Sequence, residues 1–217
     1  MKLSARTKQL LKNFATINQN ILFLQGTKIR TIAQAKNVYA EAFVEEDFPT
    51  TVGIYDLNEF LGVIGLFDDP DVQFSDKEIT IQDGKNSVRY LAADSTVIIA
   101  PKKDFDVPVP ATSFDLDPTT LSSVIKAAGV LKSPIVTFEG DGENIKLVAH
   151  DKSNVNSNSY QVEVSENETK FKYHVKTESL QKLLSEKFEV LVLTNKLLVF
   201  KGDQKLYMVA AESDSEI

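Results

Sequence analysis

A chain of 217 residues, 42% hydrophobic and 25% charged, has the composition of an ordinary globular protein, one large domain or two small ones, which excludes disorder and fibrous repeats. With no cysteine and only His150 and His174, it excludes disulfide scaffolds, thiolate metal sites and cysteine nucleophiles, and leaves little material for an imidazole-ligated metal. No apolar run reaches the roughly 18 residues of a spanning helix, and Met1-Lys2-Leu3-Ser4-Ala5-Arg6 carries no secretory signal pattern, so a cytoplasmic protein is expected.

The net charge of −7 is unevenly distributed. Residues 1–40 carry Lys2, Arg6, Lys8, Lys12, Lys28, Arg30 and Lys36 and no acid, while the remainder holds 17 basic and 31 acidic side chains, a balance of −14. Such polarity suits a basic surface for a polyanion on an acidic body. The first predicted element sharpens this. Ser4 is an N-cap, and Leu10, Leu11 and Phe14 follow Thr7 at helical spacing, flanked by Leu3 and Ile17. At 100° per residue these form one apolar stripe. Lys8 and Lys12 fall opposite, with Arg6 and Lys2 at the margin and no glutamate at i±4 to neutralise them. An uncompensated cationic ridge is self-repulsive, and phosphates would offset it.

Further along, the chain repeats itself. Leu10-Leu11 aligns with Val124-Ile125, Ile21-Leu22 with Ile135-Val136 and Gly26 with Gly140, each a helix, a strand and a turn. Asp56 caps a helix, expected to run to Phe67, with Leu57, Phe60, Leu61 and Ile64 on one face. Its partner is capped by Thr177 or Ser179, with Leu180, Leu183, Leu184 and Phe188 inward. Asp76 to Asp94 aligns without a gap onto Thr194 to Glu212 as a hairpin turning at Gly84 or Gly202. Between the halves, Ser95 to Pro110 carries Pro101, Lys102-Lys103, Pro108 and Pro110 and reads as an extended connector whose apolar residues lie partly against a domain surface. The expected fold is α+β: two similar domains, 1–110 including the connector and 111–217, each a sheet with two helices on one face.

Catalytic motifs are missing. There is no phosphate-binding glycine loop, dinucleotide fingerprint or nucleophile elbow. Gly140-Asp141-Gly142-Glu143 lacks the ligand spacing of a calcium loop and reads as a hairpin turn. Asp68, Asp69 and Asp71 around Pro70 admit either a magnesium site or a solvated loop, and turn preferences favour the loop. His150 and His174 read as structural or surface residues. No enzyme, cofactor or metal is expected.

Leu-Leu-Lys-Asn-Phe-Ala-Thr-Ile-Asn (10–18), Tyr-Ala-Glu-Ala (39–42), Ile-Tyr-Asp-Leu-Asn-Glu-Phe-Leu-Gly (54–62), Ser-Thr-Val-Ile-Ile-Ala-Pro (95–101) and Val-Ala-Ala-Glu-Ser-Asp (209–214) resemble the sliding clamps of T-even-type bacteriophages. The resemblance implies a homotrimeric ring of six similar domains, the DNA-clamp fold, with helices lining a hole through which duplex DNA passes. It implies a DNA polymerase tethered to the ring and a clamp loader to open it. The residues expected to face DNA are Lys2, Arg6, Lys8, Lys12, Lys126, Lys132 and Lys182, with Lys187 set partly toward the apolar side of its helix. The Asp56 helix departs from the pattern, offering no cation and exposing Asn58, Gly62 and Gly65. Partner peptides in the family dock near the connector, for which Ile98, Phe105, Val107 and Val109 are the candidates. The competing readings are a DNA-binding module that uses the N-terminal helix without a ring, and an enzyme with an acidic site at Asp68–Asp71.

Overall fold

In the computed structural model, which describes every residue except Lys102 and Val155, the chain divides into two units, Met1–Asp104 and Phe105–Ile217. The division falls inside the proline-bearing connector.

The first unit runs α1 (Ala5–Ile17), β1 (Ile21–Phe23), β2 (Gly26–Ile32), β3 (Val38–Phe48), β4 (Val52–Ile54), α2 (Leu57–Ile64), β5 (Asp71–Phe74), β6 (Glu78–Asp83) and β7 (Asn86–Leu91). Short β1 pairs antiparallel with β4, β2 forms a hairpin with β3, and β5-β6-β7 is a three-stranded meander. Alternating residues of these strands point inward. Phe23, Phe48, Phe60 and Phe74 meet at the centre, with ring centroids 4.6 Å apart for Phe23 and Phe48 and 5.2 Å for Phe48 and Phe74. Both helices bury their apolar stripes on this core.

The second unit runs β8 (Thr112–Leu116), α3 (Pro118–Leu131), β9 (Ile135–Asp141), β10 (Asn144–His150), β11 (Tyr160–Glu166), β12 (Lys170–Lys176), α4 (Thr177–Leu180), β13 (Phe188–Leu193), β14 (Leu197–Gly202) and β15 (Lys205–Ala210). Strands in the order β11-β10-β9-β12 make one sheet, and β15-β14-β13-β8 run side by side in another. Phe138 of β9 touches Phe114 of β8 and Phe200 of β14, so the core lies between the two layers, with α3 packed on β9, β10 and β11. The Asp141-Gly142 turn joins β9 to β10 as a hairpin. Gly142 has φ +98°, and the Asp141 carboxylate accepts from the Glu143 and Asn144 amides at 3.0 and 2.9 Å.

Two sequence expectations need correction. The repeated hairpins are offset by one residue from the gapless alignment. β6 and β7 turn at Gly84-Lys85, closing on the Asp83–Asn86 pair, whereas β14 and β15 turn at Asp203-Gln204 and close on Gly202–Lys205. Buried Ile79 therefore corresponds to buried Leu198, not to half-buried Leu197. A one-residue slip exchanges the faces of a strand, and composition alone does not register it. The second helix of the second half is also shorter than its periodicity suggests. After one turn its bonds change to i→i+3, Lys182 to Ser179 and Leu183 to Leu180, and Phe188 already belongs to β13. The tighter turn stacks Leu180 on Leu183 inward and leaves Leu184 half-buried.

Candidate nucleic-acid interface

The cationic ridge rests on a helix anchored at its start by three polar groups. The Ser4 hydroxyl accepts from the Thr7 amide at 3.2 Å. The Glu46 carboxylate, reaching from β3, accepts from the Ser4 amide with one oxygen and from the Thr7 hydroxyl with the other. Glu46 is buried. Burial alone would raise its carboxyl, but the bonds from Thr7 and Ser4 outweigh that and hold it below its ordinary range. Nothing in local sequence announces this anchor, because the partners lie some forty residues apart. A buried anion at a helix start also complements the helix dipole.

From that anchor, Thr7, Leu10, Leu11, Phe14 and Ile17 turn inward and Lys8 and Lys12 outward. Lys12 is exposed, and Lys8 and Arg6 are half-buried. Among the described residues, no carboxylate pairs with Lys8 or Lys12. Lys2 differs. It precedes the helix and forms an exposed ion pair with Asp69, unlike Lys8 and Lys12. The α2 surface beside α1 carries no cation. Asp56 caps it through the Asn58 and Glu59 amides, both at 3.0 Å, and the Tyr90 hydroxyl donates to the Glu59 carboxylate at 3.1 Å.

In the second unit, α3 begins at Pro118 and buries Leu121, Val124 and Ala128. Lys126 stands exposed on its polar side, with Ser122 and Ser123 half-buried nearby. Lys132 is the helix C-cap, in the left-handed region at φ 53°, and so lies past the helix rather than along its face. Lys182, expected on a helix, lies in the turn after α4, where its amide already bonds back to Ser179 in i→i+3 fashion. Lys187 does not point toward an apolar side. It is exposed outside any helix and pairs with Asp115 at 2.6 Å.

The other candidate sites are distributed differently. Asp68, Asp69 and Asp71 are all exposed, and Asp69 is committed to Lys2. Among the described residues, no group of three or more His, Asp or Glu is arranged to hold a metal ion. His150 Nε2 and His174 Nδ1 converge on the Thr137 hydroxyl at 2.7 and 2.8 Å. Of the connector residues, Ile98 is buried within the first unit, while Phe105 and Val109 of the second unit are exposed and Val107 is half-buried. No helix of the described residues is long and apolar enough to cross a membrane.

Residues 4–100 match the family model described as DNA polymerase processivity factor. The sliding clamp of Escherichia phage RB69 is 32% identical over 154 residues, covering 70% of this chain and 68% of its own. The chain belongs to the sliding-clamp family. The sliding clamp of Vibrio phage KVP40 extends the likeness to 98% of this chain and all of the relative, at 28% identity. The fold is shared more widely. A structure of the C-terminal region of FEN-1 bound to A. fulgidus PCNA superposes with a TM-score of 0.71 at 16% identity, covering 96% of each chain. The family favours a processivity factor over a lone DNA-binding module.

Proposed function

We propose that the chain is a non-enzymatic processivity factor that encircles duplex DNA as a homotrimer and tethers a DNA polymerase to it. Each copy would contribute two domains, 1–110 with the connector and 111–217. The observation that carries this reading is the ridge of Lys8 and Lys12, with Arg6 beside them, on α1, a helix whose sequence contains no acidic residue, opposite a buried apolar stripe. Turned toward a central hole, these residues and Lys126 meet phosphates without reading bases, with Lys132 and Lys182 at the helix ends. Lys2 contributes only if it leaves Asp69. Weak, sequence-independent contacts favour sliding, and retention comes from closure of the ring. The acid-rich remainder of the chain discourages DNA from adsorbing outside the hole.

Two strand edges suit the closure. Met1 exchanges backbone bonds with Val72 and so covers the outer edge of β5, and Glu216 does the same for Lys172 of β12. Among the described residues, β7 and β11 each pair on one side only. Joining β7 of one copy to β11 of the next is a heterologous contact, which closes into a ring when the rotation permits. A tethered polymerase gains effective concentration at the primer end. The connector, with Phe105, Val107 and Val109, is the proposed docking segment, a clamp loader opens the ring, and the host cytoplasm is the setting.

The test is topological. Light scattering gives a trimer mass, and loaded protein persists on circular DNA but runs off linear ends. A monomer with equal retention on both would end the reading.

A further inference from the structure

The start of the connector is held to the first unit by more than apolar contact. The Ala93 amide donates to Gly53 O at 2.8 Å, and a Cβ at Gly53 would come within 2.8 Å of Ala93 O and 2.9 Å of Ile98 Cγ1. Glycine alone admits that approach. Ile98 turns inward and Pro101 is buried, while Ile99 between them is 40% exposed. Both backbone groups of Ile99 are taken by side chains from the end of α1. Asn18 Nδ2 donates to Ile99 O at 2.9 Å and to Ile32 O at 2.9 Å, using both of its hydrogens. Asn20 Oδ1 accepts from the Ile99 amide at 3.0 Å. Asn18 Oδ1 accepts from the Asn20 amide at 3.1 Å and aligns the pair. Both asparagines are buried, at 3% and 7% exposure. At the far end of the same stretch, Asp104 pairs with Arg30 at 2.6 Å and Lys28 at 3.4 Å.

We infer that Asn18 and Asn20 are positioning residues for partner capture: they hold the connector root in one conformation and so present the exposed Ile99 to a partner that they never touch. Two buried amides add no apolar burial, and their desolvation is repaid in full only while Ile99 lies between them. They therefore select one arrangement of the loop. A connector ordered in advance spares the partner the entropy of ordering it. The inference rests on the reading that partners dock at the connector.

The chemistry of the two amides differs, and that gives the test. Asn18 acts as a double donor, so Asn18→Asp removes both bonds and sets a carboxylate against two carbonyls. Asn20 uses only its oxygen toward Ile99, so Asn20→Asp keeps that bond and Asn20→Leu removes it. Binding of the cognate DNA polymerase to DNA-loaded trimer is measured together with amide exchange at Ile99 and the oligomer mass. Asn18→Asp and Asn20→Leu are expected to weaken polymerase binding about tenfold and to speed exchange at Ile99, with trimer mass and persistence on circular DNA retained. Asn20→Asp is expected to bind as the unaltered protein does. Equal polymerase affinity for Asn20→Leu and Asn20→Asp overturns the inference, and this comparison decides if Asn18→Asp does not fold. A Val109→Glu variant separates the two levels. If it binds polymerase normally, docking at the connector is wrong; if it loses binding while the asparagine variants do not, only the positioning role is wrong.

Discussion

Glu46 links a strand to the first turn of the cationic helix through two polar partners, and it is the residue whose loss the ridge should feel most. Glu46→Ala leaves the Ser4 amide and the Thr7 hydroxyl without their acceptor and should cost about 2 kcal/mol in urea denaturation, fraying α1 from its start. Its carboxyl is held low in the folded chain, so the contribution is complete above the unfolded value. It is lost as pH falls below about 4.5 and through the folded value. Glu46→Gln should keep much of the stability, because its amide can bond Ser4 and Thr7 in turn, while removing this acid dependence. His150 and His174 titrate in a higher window. Burial lowers both, and they share the single hydroxyl of Thr137. The unfolded chain takes up these protons near pH 6.5 and the folded chain only at lower pH. Thermal stability should therefore decline as pH drops below that point. A His150→Gln, His174→Gln double variant should flatten the decline.

At the scale of elements, the α1 stripe, the Ser4 cap and the Asp56 cap were all legible, because a helix of 13 residues repeats its apolar face several times. Helix α4 was not, since a single turn followed by i→i+3 bonds gives the same leucine spacing at first. Gly62 of α2 illustrates a second limit. Sequence alone left open whether it serves close packing, and a Cβ there would meet nothing within 4 Å. Within the chain it is therefore a conformational cost. Gly62→Ala should raise stability by about 0.5–1 kcal/mol in chemical denaturation. If the same variant loads poorly on DNA, the glycine serves a contact outside the chain.

For the whole molecule, the ridge should matter to DNA and not to assembly. On the proposed ring, Lys8→Glu with Lys12→Glu should keep the mass of the unaltered protein by light scattering and lose persistence on circular DNA. The salt dependence of DNA binding should also weaken, because fewer counterions are displaced. A lower oligomer mass in that variant would place these lysines at a subunit contact.

Sequence by itself determined the duplicated plan, the capped basic helix, the connector and the family, since each is written in local periodicity or in contiguous blocks such as 10–18 and 54–62. Tertiary structure alone decided the partners of those pieces. It assigned Glu46 to the start of α1, Asp69 to Lys2, Asp115 to Lys187 and the Ile99 backbone to Asn18 and Asn20. It also set the hairpin register, which lies one residue from the gapless alignment of the two halves. The division has one cause. Periodicity reports which face of an element is apolar, whereas a buried hydrogen bond or ion pair joins residues whose separation along the chain carries no signal.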